Sequence, residues 1–296
     1  MGDDMGIEGE LRSDEQSGVS IQSLARDGIL HREWSTELTE VQSRSYAAIL
    51  GAEPPVDGRS WYAGEALATK FLTLLDGTLE AAVIQHFCAV AGREFKQTFR
   101  LVSGTDLRRR YLPDATRLRT IDLVIIDSAE WNDDESAGAP ARDAVVAIEC
   151  KFKAQVNYGD CGGHGDGLLY GNQIVCYPNG CSSSAVVAPQ VGFVWLGLPN
   201  ADGDVVWPPA SAMNPRWIEL QRSRGASAGT LALYTDLLAL QTEVVESGIW
   251  TVTGWPALYD LVEETLRETH PHAVAPVLRA LGARPAYRAA GSREHR

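Results

Sequence analysis

The spacing of apolar positions divides the chain into a polar start, a strand-rich middle and a helical end. Residues up to about position 20 are polar, acidic and Gly-rich with no apolar period, so disorder is expected there. Thr36 to Leu50 has a helical pattern that "GAEPPVDGRS" then breaks. The following segment, "GEALATKFLTLLDGTLEAAVIQHFCAVAG", reads as helix up to a stop at Gly92. In it Leu72, Leu75, Leu79, Val83, Ile84, Phe87 and Val90 recur at three and four residues, which turns one face to a core. Glu80 lies on the edge of that face. It is either a half-exposed flank residue or a carboxylate that needs a partner.

Strands follow. "EFKQTFRLVSG" alternates weakly, while "RTIDLVIIDSA" and "AVVAIECKFK" are β-branched runs separated by the polar loop "WNDDESAGAPARD", as in an antiparallel pair. After the Gly-rich "YGDCGGHGDG" the pattern predicts a helix over "LLYGNQIVCY", stopped by Pro178, and a further strand "QVGFVWLGL". "GTLALYTDLLALQTEVVES", "WPALYDLVEETLRETH" and "HAVAPVLRALG" are helical again. Helix, three strands, helix, strand is the order of an α/β protein with a central sheet covered by helices on both faces. We divide it into an acidic N-terminal arm (1–60), a core (61–200) and a helical C-terminal extension (201–296).

At 296 residues and 45% hydrophobic content the chain can bury a full core. No apolar run reaches the length of a membrane span, and the N-terminus lacks a basic and apolar leader, so a cytoplasmic protein without membrane contact is expected. Five cysteines argue against a disulfide framework. Cys161, His164, Cys176 and Cys181 have the ligand types of a zinc site, but only one pair is tightly spaced, and we read the cysteines as thiols in a reducing compartment rather than as zinc ligands.

The formal net charge of -13 opposes non-specific binding to nucleic acid. The first 60 residues carry twelve acids against five arginines. Between Arg93 and Thr120 the sign reverses, with Arg100, Arg108, Arg109, Arg110, Arg117 and Arg119 among the bases. That strip is either a solvated face or a local phosphate-binding surface, which Lys153 could extend.

The chemistry concentrates in "DAVVAIECKFKAQ". Side chains two apart on a strand share a face, so Glu149 and Lys151 point one way while Ile148, Cys150 and Phe152 pack the other. Asp122 opens the preceding strand, and a hairpin would set it beside Glu149. Two carboxylates gathered at the end of a buried sheet call for a positive charge between them. Mg²⁺, or Mn²⁺ in its place, suits such oxygen ligands and takes further ligands from phosphate. Lys151 could orient or deprotonate a water and steady transition-state charge. A plain salt bridge between Glu149 and Lys151 is the competing account.

"IDLVII" followed by "AIECKF" resembles the metal-binding pattern of the PD-(D/E)XK, or restriction-endonuclease-like, nuclease superfamily. The resemblance covers about Glu65 to Leu198 and implies a mixed sheet in αβββαβ order. It matches Asp122, Glu149 and Lys151 to the two acids and the lysine, and implies metal contact by the Cys150 carbonyl. It also implies a helix acid, for which Glu80 is placed, and a helix Gln with a Tyr four residues on, here Gln173 and Tyr177. The literal Pro-Asp pair, Pro113 and Asp114, precedes the strand, which leaves Asp114 as the alternative first acid. The expected activity is Mg²⁺-dependent hydrolysis of DNA by an endonuclease of restriction or phage-defence type, compatible with a homodimer because cutting both strands needs two sites. The rival is a catalytically inactive nuclease-like module that grips a protein partner through its N-terminal arm or C-terminal helices.

Overall fold

A computed structural model describes residues 18–51, 63–104, 121–129, 144–152, 156, 158–160, 170–183 and 191–284. The helical start comprises α1 (Ile21–Arg26), α2 (Trp34–Glu37), α3 (Glu40–Gly51), α4 (Glu65–Leu72) and α5 (Gly77–Val90). Three strands follow, β1 (Phe99–Ser103), β2 (Leu123–Asp127) and β3 (Ala144–Cys150), then the short pair β4 (Tyr158–Asp160) and β5 (Tyr170–Asn172). The chain continues through α6 (Gln173–Ser183), β6 (Gly192–Gly197), α7 (Pro215–Ser223), α8 (Ala228–Glu246), β7 (Trp250–Gly254), α9 (Trp255–Thr269) and α10 (Val274–Ala280).

The central sheet has the order β1-β2-β3-β6-β7. β1, β2 and β3 form an antiparallel meander, and β6 and β7 run parallel to β3. A sheet with parallel central strands must be covered on both sides, and β2 and β6 are accordingly buried along their whole length. Leu123, Ile125, Val146, Ile148 and Cys150 face α5 and α9, where they meet Val83, Ile84, Phe87, Leu258 and Val262. Val124, Ile126, Ala147, Phe193 and Trp195 face the other way, against Ile174 and Tyr177 of α6. Each such fully buried large side chain contributes about 1.5–3 kcal/mol. The expected alternation of Ile148 and Cys150 against Glu149 is therefore present, and α5, β1, β2, β3, α6 and β6 follow one another as anticipated except that the small pair β4 and β5 is inserted between β3 and α6.

Other elements differ from the sequence expectations: β5 takes the start of the helix expected over "LLYGNQIVCY", and α7 was not anticipated. The segment from Glu65 to Gly92 is two helices, not one, because Asp76 caps a new helix by accepting the Gly77 N–H, and Gly77 turns the chain at φ +56°. Pro178 does not stop α6, which runs through it to Ser183. A proline there leaves the carbonyl of Ile174, four residues earlier, without its helical donor, and the Trp250 indole supplies one at 2.9 Å. β7 was not anticipated: "WTVTG" is too short to alternate convincingly, yet it becomes the fifth strand. The last part of the chain is thereby built into the sheet, and one core joins Ile21 to Ala283. Among the described residues no helix is long and apolar enough to cross a membrane.

One glycine fixes the chain near the end of β3. Gly282 has φ +78°, and a Cβ there would lie 2.5 Å from the Phe152 ring and 2.9 Å from the Ala63 carbonyl oxygen. Phe152 in turn packs edge-on to Trp255 at 4.6 Å, and the Trp255 indole donates to the Lys151 carbonyl. Gly282→Ala is expected to cost about 2–4 kcal/mol in urea unfolding. Gly225→Ala, also at positive φ but with open space around it, is the control and should cost about 1 kcal/mol. Equal costs would show that the contact with Phe152 is unimportant.

Candidate active site

The end of β3 carries the cluster that the sequence suggested, with one member changed. Register pairs Leu123 with Ile148, so Asp122, one residue before β2, falls beside the last residues of β3. The Cys150 N–H donates to Asp122 Oδ2 at 2.9 Å, which ties the loop carboxylate to the strand. Glu149 and Lys151 share a face, and their side chains meet with Lys151 Nζ 2.6 Å from Glu149 Oε1. Asp122 Oδ2 is 4.0 Å from the same nitrogen. Cys150 is fully buried, and its carbonyl is the main-chain oxygen between the two charged residues.

The helix carboxylate that lies beside Lys151 is Glu65, not Glu80. Glu65 opens α4, where the partial positive charge of a helix N-terminus favours a carboxylate. Its Oε2 accepts the Phe152 N–H at 2.6 Å and its Oε1 lies 3.6 Å from Lys151 Nζ. Glu80 is instead committed to β1, where Oε1 accepts the Leu101 N–H at 3.2 Å, and it lines a separate cavity of about 520 Å³ with Asp76, Phe95, Phe99 and Arg100. The break at Asp76 explains the exchange, since each of the two helices has its own acidic first turn. The local signal for Glu65 was its place directly after Gly64, but nothing local says which of two helix starts reaches a given strand.

Gln173 opens α6 and donates from Nε2 to Glu149 Oε1, with Tyr177 Oη 3.4 Å from the same nitrogen. The expected Gln and Tyr thus both lie by the second acid. Arg100 stands on the edge strand β1 and folds back on the chain, its Nη1 donating to the Gln97 and Phe99 carbonyls. Arg108, Arg109, Arg110, Arg117, Arg119, Asp114, Lys153, Cys161 and His164 lie outside the described residues. Cys176 is disulfide-bonded, contrary to the thiol expected, so it cannot serve as a thiolate ligand in that state. Cys88 and Cys150 are free thiols, and both are buried.

Electrostatics define what this arrangement lacks. Three carboxylates stand within 4.0 Å of one ammonium, a formal excess of two negative charges. Burial, with the Asp122 charge adding to it, pushes the Glu149 carboxyl up to about 8 despite Lys151. Burial also raises Asp122, against the opposing pull of Lys151. Burial alone would lower Lys151, but the surrounding carboxylates, Glu149 first, outweigh it and raise it, so the amine stays charged. Glu149 Oε2 is buried and has no hydrogen-bond partner, the kind of orphaned acceptor that folded proteins avoid. Among the described residues no three Asp, Glu, His or Cys side chains form a ready-made metal cage. The positive charge among these carboxylates is that of Lys151.

No family model, curated protein or solved structure matches this chain.

Proposed function

We propose that the chain is a Mg²⁺-dependent phosphodiesterase that hydrolyses DNA, an endonuclease of restriction or phage-defence type with a restriction-endonuclease-like core. The observation that carries this reading is the buried, unpartnered Glu149 Oε2 in a cluster where three carboxyl groups surround one ammonium. A divalent cation would match the surplus of carboxyl groups and give the orphaned oxygen a partner, which supports such an ion although no three of these side chains form a ready-made cage. Asp122, Glu149 and Glu65, with the Cys150 carbonyl, would hold it. Bound there, the ion would polarise a phosphoryl oxygen and acidify a water.

The side chains divide the remaining work. Lys151 keeps its proton, so it acts as a fixed positive charge that orients the attacking water and steadies the charge developing on the phosphoryl oxygens. Gln173 holds the Glu149 carboxylate in one orientation. The water oxygen forms a bond to phosphorus as the bond to the leaving sugar oxygen breaks; the water gives up a proton to solvent and the leaving oxygen takes one, leaving a phosphate monoester and a hydroxyl. Phosphate backbone would be gripped by the arginines between Arg100 and Arg119 and by Lys153, so cleavage should weaken steeply with salt despite the acidic total charge.

Mn²⁺ titration tests the reading directly. Wild type is expected to bind Mn²⁺, and Asp122→Ala and Glu149→Ala to lose that binding. Affinity should also follow proton release from Glu149, rising about tenfold per pH unit up to its value of about 8 and levelling above it. A chain that ignores Mn²⁺ from pH 6 to 9, and whose Lys151→Ala variant merely unfolds more easily, would be the inactive binding module instead.

A further inference from the structure

Gln241 interrupts the apolar run of α8, and it is buried. A buried amide needs partners, and both polar atoms of this one have them. Its Oε1 accepts from Asn172 Nδ2 at 2.8 Å and from the Met213 N–H at 3.1 Å, while its Nε2 donates to the Met213 carbonyl at 2.9 Å. Asn172 is fully buried as well. It directly precedes α6, and its Oδ1 accepts the Val175 N–H at 3.2 Å in the manner of a helix cap. The next residue is Gln173, whose amide donates to Glu149. A continuous run of buried amides therefore leads from the middle of α8 to the carboxylate at the centre of the site.

We infer that Gln241 and Asn172 are positioning residues of this site, which fix the start of α6 so that the Gln173 amide meets Glu149. Adhesion alone does not explain them. Val175, Met213, Ile218 and Leu237 already bury an apolar contact among α6, α7 and α8, and an aliphatic side chain at 241 would extend it without demanding three hydrogen bonds. What the amides add is direction, since each accepts its partner in one orientation only. The α7–α8 hairpin is then a support of the site. The geometry stands by itself, and only its catalytic consequence rests on the phosphodiesterase reading.

The experiment follows the Glu149 carboxyl of the full chain by ¹³C NMR, its signal identified by its loss in Glu149→Gln. Gln241→Met keeps the volume and removes the hydrogen bonds, and Asn172→Ser keeps a capping oxygen but loses the link to Gln241. Each is expected to move the Glu149 titration midpoint upward by about half a pH unit or more, because the charged form loses a donor. Gln173→Ala should do the same, and the double variant Gln173→Ala with Gln241→Met should add nothing to it. Under Mg²⁺ the Gln241→Met variant should lower kcat about tenfold with little change in KM. A midpoint unmoved in both Gln241→Met and Asn172→Ser, or additive in the double variant, would overturn the linkage even if cleavage is robust. A midpoint that moves as expected in a chain that cuts no DNA would keep the linkage and end the phosphodiesterase reading.

Discussion

Glu149→Gln is expected to abolish Mg²⁺-dependent DNA cleavage, by about a thousandfold or more, while making the fold more tolerant of alkaline pH. Both effects have one cause. The carboxylate is held where its charge is unwelcome, so it binds a proton, or a cation, in preference to standing alone. Its folded value of about 8 lies above the usual value of 4.5, so the native state holds a proton that the unfolded chain gives up. Stability from this group is therefore complete below about pH 4.5, is lost as pH rises toward 8, and changes no further above it. Gln removes that dependence. Between pH 5 and pH 8 the difference in unfolding free energy should move about 2–4 kcal/mol in the variant's favour, and urea unfolding at the two pH values measures it. Mg²⁺ should narrow the difference by stabilising wild type alone. A variant that cuts at the wild-type rate, or whose stability tracks wild type at every pH, would remove Glu149 from the site.

The second large effect separates two acids that the sequence cannot tell apart. Glu65→Gln should lower Mn²⁺ affinity and cleavage about a hundredfold, whereas Glu80→Gln should leave both within about twofold. Gln at 65 can still accept the Phe152 N–H, so the fold near Lys151 is kept while one negative charge is removed from the cluster. Gln at 80 can likewise accept the Leu101 N–H, and its charge lies by Arg100 and Asp76 rather than by Lys151. Equal losses in the two variants would show that Glu65 acts only as a backbone brace. A loss confined to Glu80→Gln would place the helix acid where the sequence pattern first put it.

The two variants also show where sequence reading reaches its limit. Asp122, Glu149 and Lys151 were legible because a hydrophobic run of β2 and β3 fixes which residues share a face, and because the antiparallel pairing of neighbouring strands leaves few registers to choose from. Gln173 was legible through its resemblance to a motif, although its helix begins later and runs further than the proline suggested. Glu65 was not, because choosing it over Glu80 depends on a helix break at Asp76 and on which helix start lies over the end of β3. The asparagine and glutamine of the buried amide run gave no local signal, since a Gln among leucines looks the same whether it faces water or a core.

The one-dimensional order of residues thus determined the alternation that buries the sheet and the cationic and anionic side chains that emerge at its end. Those properties are set by periods of two and of 3.6 residues, which operate over a few positions. Tertiary structure alone decided that Trp250 repairs the helix at Pro178, that β7 completes the sheet, that Glu65 reaches the cluster from 84 residues before Glu149, and that Gln241 meets Asn172 from 69 residues away. Contacts at that separation are selected by the packing of whole faces against one another, and no local spacing records which faces will meet.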